Sequence, residues 1–281
     1  MTLSIGAGVH DLRKQLEAAR QQGRTIGFVP TMGYLHAGHQ SLIEASARAG
    51  HFTLVSVFIN PTQFGPNEDL DAYPRDAEHD LRLANQSGAD LVWFPDRQDL
   101  YPEGTETTVL PGSMAQCLCG ISRPQFFGGI CTVVLKFFNM VQPTAAYFGE
   151  KDFQQLSLIR KMAADFMLDV NVVGEPCIRE NDGLAMSSRN AMLEPQDREA
   201  ALSLYRALSS ARTAFKNGMR DAQGLRARLV AAWPDTLALD YLDFRDPEKL
   251  QPVTTLKPNT RIFIGAWLRG IRLIDNTALA D

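Results

Sequence analysis

The stretch Thr25-Ile26-Gly27-Phe28-Val29-Pro30-Thr31-Met32-Gly33-Tyr34-Leu35-His36-Ala37-Gly38-His39 changes character twice. Thr25 to Val29 is a β-branched and aromatic run stopped by Pro30, which reads as a strand. A Gly/His loop follows, then a helical pattern from about Gln40 to Ala49, closed by Gly50. In open α/β sheets ligands bind at the carboxyl ends of strands, and the free N–H groups of a helix start favour anionic phosphate. Gly33 and Gly38 let backbone approach a nucleotide with no Cβ in the way. His36 and His39, three apart, can face one side of the helix start. Two imidazole donors there suit phosphate oxygens on which charge develops during displacement at an α-phosphorus. A solvated turn is the plainer reading of the same histidines.

Outward from this loop the chain alternates. Leu12–Gln22 reads as an amphipathic helix ended by Gly23, and Phe52–Ile59 as a parallel strand covered on both faces. Helices are expected over Asp76–Gln86, Thr132–Met140 and Phe153–Phe166, and strands over Asp90–Phe94, Ala145–Phe148 and Val170–Val173. After Pro176 the pattern changes to two helices, Arg198–Asn217 and Asp221–Ala232, then strands Leu239–Phe244, Arg261–Ala266 and Ile271–Ile274. The expected fold class is α/β: a Rossmann-like doubly wound parallel sheet over residues 1–177, with a smaller α+β C-terminal domain over 178–281.

Composition narrows the function. The 281 residues are 45% hydrophobic and 21% charged, with a net charge of −4, ordinary for a soluble protein with real cores. No Lys/Arg block offers a basic face, so nucleic acid is not an expected partner and small substrates are. The four cysteines form no C-x-x-C pair and no zinc-ligand spacing, so reduced structural thiols and no metal site are expected. Met1–Leu12 lacks the layout of a signal peptide, and apolar runs such as Leu54–Ile59 are too short to span a bilayer. A cytoplasmic protein without membrane partners is expected.

Three further segments carry polar groups at turns. Asn60 and Gln63, in Val57-Phe58-Ile59-Asn60-Pro61-Thr62-Gln63-Phe64, are amides suited to reading hydroxyls and carboxylates. An Asx turn explains Asn60 equally well, and Tyr73-Pro74-Arg75 reads also as an exposed arginine. Tyr147-Phe148-Gly149-Glu150-Lys151-Asp152-Phe153-Gln154-Gln155 is a second strand-to-helix loop. Lys151 would set a point charge over phosphates, and Asp152 would orient it or hold Mg²⁺ through water, a surface Lys–Asp pair being the plainer reading. Arg179 to Asn190 brings Ser187, Ser188 and Arg189 to the domain junction, where they read as a mobile clamp on triphosphate or as an ordinary Ser-rich linker.

A His-x-Gly-His loop resembles the signature of the nucleotidylyltransferase superfamily, which includes class I aminoacyl-tRNA synthetases. The other segments, with Arg272-Leu273-Ile274-Asp275-Asn276, sharpen this over nearly the whole chain. Together they resemble the pantothenate synthetase (pantoate–β-alanine ligase) family. That resemblance implies a homodimeric enzyme that forms pantoyl-adenylate from pantoate and MgATP. Pyrophosphate is released, and the β-alanine amine then displaces AMP. It implies ATP binding by Met32, Gly33, Tyr34, Leu35, His36, Ala37, Gly38 and His39, with His39 at the family's proton-donor position. Gly149, Glu150, Lys151, Asp152, Ile178, Met186, Ser187, Ser188 and Arg189 match further ATP contacts. Gln63 matches a residue touching both pantoate and β-alanine, and Gln155 a second pantoate ligand. Asn60, Val133, Val134 and Phe148 complete the expected substrate-binding set, with Ile130 and Phe137 also apolar. His36, His39, Lys151 and Arg189 are the expected catalytic group, working by charge neutralisation and positioning.

One segment departs from the family pattern R-P-G-H-F. Here Arg123-Pro124-Gln125-Phe126-Phe127 puts Gln and Phe where Gly and His are usual. Weaker substrate affinity or altered loop order is expected, with the reaction class kept. Rival readings are a nucleotidylyltransferase acting on a phosphate acceptor, an aminoacyl-tRNA synthetase relative and a non-catalytic nucleotide binder. The paired Gln63 and Gln155 disfavour the first, and the acidic balance the second.

Overall fold

The computed structural model describes residues 3–5, 8–65, 68 and 70–280. Met1, Thr2, Gly6 and Ala7, part of the N-terminal stretch read above, lie outside the described residues. In chain order the first elements are β1 (Leu3–Ile5), α1 (Val9–Gln21), β2 (Ile26–Thr31), α2 (Ala37–Arg48), β3 (Phe52–Val57), α3 (Ala77–Gln86) and β4 (Leu91–Trp93). Next come α4 (Arg97–Leu100), α5 (Cys119–Ser122), α6 (Phe126–Val141), β5 (Ala145–Gly149), α7 (Phe153–Asp165) and β6 (Asn171–Glu175). The last are α8 (Pro195–Ala201), α9 (Ser203–Lys216), α10 (Ala222–Ala231), β7 (Ala238–Arg245), β8 (Arg261–Leu268) and β9 (Ile271–Ala278).

The chain divides into two compact units. The first comprises residues 1–111, 125–150 and 158–176; the second comprises 112–124, 151–157 and 177–281.

The first unit is built on a six-stranded sheet in the order β1-β4-β3-β2-β5-β6, every pairing parallel. Parallel strands bury both faces, which is why β2 and β3 carry almost continuous apolar runs. On one face Val29, Val55 and Tyr147 pack with Leu42 and Ile43 of α2 and Ala84 of α3. On the other, the Phe137 ring of α6 meets Phe28 at 5.5 Å and Trp93 at 5.9 Å, edge to face. Burial of each such side chain stabilises the unit by roughly 1.5–3 kcal/mol. Helices on both faces make this the doubly wound α/β sheet that the alternation predicts. Strand order reverses between β2 and β5, which pair directly, so the loops leaving them flank a topological switch point.

The second unit contains an antiparallel sheet in the order β7-β8-β9. Ile262 and Ile264 of β8 and Leu273 of β9 pack with Leu204, Leu208 and Leu225 of the helices. The sheet's other face carries Phe263, whose ring lies 6.0 Å from that of Phe153. This is the smaller α+β arrangement expected of the C-terminal region.

Three local expectations are corrected. β1 is absent from the sequence reading, because three residues are too few to establish a period. The helix expected from Thr132 begins at Phe126, so the unusual Gln125-Phe126-Phe127 segment is a helix start and not a loop. Gly128 and Gly129 disguise it. A Cβ on Gly129 would sit 2.3 Å from the Thr62 carbonyl oxygen, so glycine there serves close packing and not a turn. The helix expected over Arg198–Asn217 is two helices, α8 and α9, divided at Leu202.

Candidate active site

The turn after β2 is fastened from inside the first unit. Gly33 and Tyr34 both adopt positive φ, +86° and +51°. Such a turn leaves backbone N–H groups pointing inward, and the Asp80 carboxylate on α3 collects them. Its two oxygens accept from Tyr34 N at 3.0 Å and Leu35 N at 2.7 Å. Asp80 is only 1% exposed. Burial raises its pKa above the ordinary carboxyl value, and the two backbone N–H groups partly oppose that rise. His79 donates from Nε2 to the Leu35 carbonyl at 3.0 Å and stacks on Tyr34. Neither residue is singled out by the sequence reading, although a carboxylate four residues before buried Ala84 on a helix is a usable signal.

His36 caps α2. Its Nδ1 accepts from Gly38 N at 3.1 Å, and the Nδ1 of His39 accepts from His36 N at 3.3 Å. The two rings lie 4.1 Å apart. A nitrogen that accepts carries no proton, so this pattern assigns each neutral ring the Nε2–H tautomer. The loop therefore holds two imidazoles whose Nε2 atoms are donors, at a helix N-terminus.

Beyond β3, Asn60 is buried and its hydrogen-bonding capacity is taken up within the protein. Its amide donates to the Gly129 carbonyl at 3.2 Å and to Gln63 Oε1 at 3.3 Å. Its Oδ1 accepts from Tyr101 at 2.8 Å and from the Thr62 hydroxyl at 3.0 Å. Gln63 in turn points Nε2 at the Met32 sulfur, 2.9 Å away. Thus the Met32 loop and the Gln63 turn meet, with Asn60 as the orienting group. Ile130, Val133, Val134 and Phe137 of α6 and Phe148 of β5 are all buried in the first unit. Gly149 ends β5, beside the switch point, and Glu150 follows it.

In the second unit Lys151 and Asp152 lie in a 3-10 turn, Lys151 Nζ being 3.7 Å from the Asp152 carboxylate. Gln154 ties down residues 114–119: its amide donates to the Cys117 carbonyl at 2.7 Å and to the Met114 carbonyl at 3.0 Å, and its oxygen accepts Cys119 N. Half-buried Gln155 makes none of these bonds.

Residues 179–185 form a tight hairpin. Glu180 N donates to the Leu184 carbonyl, and Met186 N donates to that of Ile178, at 2.8 and 2.9 Å. Gly183, at φ +99°, lies against the Tyr205 ring, where any Cβ would clash. Ser187 Oγ accepts Arg189 N at 3.3 Å and starts the turn that carries Ser188 and Arg189. Asn190 and Arg198 both bond Glu180, and Arg198 also bonds Asp182. Met186, Ser187 and Arg189 thus follow an anchored base half-buried, with Ser188 buried among them.

All four cysteines are free thiols. Burial pushes Cys131 up to about 12 and Cys177 up to about 11, so neither offers a thiolate nucleophile. Among the described residues no group of three or more His, Cys, Asp or Glu side chains is arranged to hold a metal ion. Among them, too, no helix is long and apolar enough to cross a membrane.

Residues 4–278 match the model of the family described as pantoate-beta-alanine ligase. The chain belongs to that family. It is 49% identical over 276 residues to pantothenate synthetase from Geobacter sulfurreducens, covering 97% of each chain. The crystal structure of pantothenate synthetase from Thermus thermophilus superposes with a TM-score of 0.93 at 42% identity over the whole of both chains. Pantoate-beta-alanine ligase from Francisella tularensis, complexed with beta-gamma ATP and beta-alanine, gives a TM-score of 0.79 at 32% identity, over 99% of this chain and 98% of that one. The activity of the family, joining pantoate to β-alanine, is therefore the activity of this chain.

Proposed function

We propose that the enzyme makes its amide bond in two steps, with ATP as the energy source. The pantoate carboxylate attacks the α-phosphorus of ATP, expelling pyrophosphate and leaving pantoyl-adenylate. The β-alanine amine then attacks the acyl carbon and AMP departs. The observation that carries this reading is the built turn after β2, two Nε2–H imidazoles at a helix start beside the sheet's switch point. Charge moves onto phosphate oxygens in the first step, and fixed donors aimed at such oxygens stabilise it without reorganising.

In the first unit His36 and His39 act as neutral donors to the phosphates, and Met32 to Leu35, Ala37 and Gly38 supply close backbone. Gly149 and Glu150 border the same switch point. Gln63, aimed by Asn60, reads pantoate and β-alanine. Val133, Val134 and Phe148 supply the apolar wall for the dimethyl group of pantoate. In the second unit Lys151 and Arg189 provide positive charge, Ser187 and Ser188 provide hydroxyls to phosphate, Met186 and Ile178 border the nucleotide, and Gln155 serves pantoate. Mg²⁺ enters with the nucleotide, since it prefers phosphate oxygens and water to an all-protein cage. Asp152 is the carboxylate of the Lys151 turn able to hold it through water. The region from residue 178 onward acts as a lid domain, and the enzyme works as a cytoplasmic homodimer; the family resemblance supports this reading, and mass in solution tests the dimer.

The test is isotopic. Pantoate labelled with ¹⁸O in its carboxylate, turned over with ATP and β-alanine, will deliver label to AMP. Label retained in inorganic phosphate or absent from AMP would rule out the adenylate.

A further inference from the structure

Asp275 and Asn276, adjacent on β9, take no part in substrate binding as proposed, yet both are buried, 3% and 5% exposed. Successive residues of a strand point to opposite faces of its sheet. Here the two faces are covered differently. Ile264, the cross-strand partner of Asp275, lies in the helix-covered core, whereas Phe263, the partner of Asn276, packs on Phe153.

On the helix-covered face the Asp275 carboxylate accepts both ends of the Arg179 guanidinium, at 2.6 and 2.9 Å. Arg179 also donates to the Gly183 carbonyl at 3.1 Å and lies 5.0 Å over the Tyr205 ring. This pairing fixes the base of the hairpin that leads to Arg189. On the opposite face Asn276 Nδ2 donates to the carbonyl oxygen of Lys151 at 2.7 Å. Arg261 donates to Asn276 Oδ1 and lies 3.7 Å over the Phe153 ring. The two fastenings share one peptide unit, because Asp275 Oδ1 also accepts Asn276 N at 2.8 Å.

We propose that the Asp275-Asn276 pair is a positioning device that holds the Lys151 backbone in register with the Arg179–Arg189 hairpin, so that the phosphate-directed cations of the second unit are presented together. This rests on Lys151 acting on the phosphates of ATP. A lysine side chain is long and flexible, so where its charge can go is set by where its Cα is held. Asn276 is a positioning residue and touches no substrate.

The experiment is a double-mutant cycle between Asn276→Asp and Lys151→Ala, read as kcat and KM for ATP alongside the melting temperature. Aspartate keeps the size of asparagine and an acceptor for Arg261, but has no N–H for the Lys151 carbonyl. Asn276→Asp is expected to lower kcat/KM for ATP about tenfold and also to lower the melting temperature, since the Lys151 carbonyl loses its donor; the comparison of the two backgrounds separates positioning from stability. In the Lys151→Ala background the same substitution is expected to cost no more than about twofold, since a residue acting through Lys151 has nothing left to position. A purely structural role would add its full loss in both backgrounds, and that outcome would overturn the proposal. If Asn276→Asp does not fold, Asn276→Ser takes its place in the same cycle. Lys151→Ala with unchanged ATP kinetics would sink the phosphate reading and this proposal together. An impaired Lys151→Ala beside an unaffected Asn276→Asp would sink this proposal alone.

Discussion

The turn after β2 is gripped throughout by a carboxylate that solvent barely reaches, whereas the 179–190 segment has one such anchor at its base, Asp275, and is otherwise tied by ion pairs that water does reach. Asp80 holds Tyr34 and Leu35 with both oxygens and is 1% exposed. Arg198, which bonds Glu180 and Asp182 at the hairpin, has a side chain 38% exposed. Exposed pairs contribute little and weaken with salt, while buried acceptors that satisfy backbone donors are costly to lose. The contrast teaches a division of labour: the histidine turn is preorganised, and the serine-arginine segment rests on fastenings that can be adjusted.

The contrast can be broken first at the histidines. Replacing His39 by Ala removes a donor and its part of the cap, and kcat for AMP formation is expected to fall roughly 100- to 1,000-fold, as when an oxyanion donor is lost. A fall below about fivefold would show that the turn is scaffold and not machinery.

The grip itself comes next. Asp80→Ala orphans two buried N–H groups, each loss costing about 1–3 kcal/mol, so both melting temperature and kcat/KM should fall. The pH dependence has a definite sign. Burial raises the Asp80 pKa above the ordinary 3.8, so the folded chain binds this proton more tightly than the unfolded chain does. The stability it contributes is full below the unfolded value and is lost as pH rises through the raised folded value. Denaturant midpoints of the wild type minus those of Asp80→Asn should therefore fall between pH 4 and neutrality. A difference that climbs over that range would contradict the assignment.

A smaller effect is expected at the hairpin. Arg198→Ala should raise KM for ATP by only about two- to fivefold, and high salt should narrow the gap by screening the wild-type pairs. A loss as deep as that of Asp80→Ala would erase the proposed difference between the two loops. Smallest of all is Phe126→His. Phe126 begins α6 and packs edge to face on Phe127 at 5.0 Å. Activity equal to or better than wild type is expected, and a sharp drop would show that the helix start has been rebuilt around phenylalanine.

Most of the sheet was legible because glycine punctuates it: Gly23, Gly50 and Gly88 each stand near an element boundary, whereas β2 runs through Pro30, expected to stop it, to Thr31. The Met32–His39 loop was legible for the same reason, since two glycines and two histidines between a strand and a helix have few other uses. Its fastening was not. Asp80 lies 45 residues or more from the amides it holds, and Asn276 lies 125 from Lys151. Pairings of that range are set by topology, which a local pattern does not encode. Asn60 shows the converse. Its amide was legible as a reader of polar substrate groups, but only the structure shows that Gly129, Thr62, Gln63 and Tyr101 already occupy it.

The most direct test incubates the purified enzyme with MgATP and follows AMP with pantoate alone, β-alanine alone, and both. Multiple-turnover AMP that requires both substrates and matches pantothenate mole for mole is the predicted result. ATP binding without AMP under any of the three conditions would contradict the account, and would turn attention to the Gln125-Phe126 start of α6.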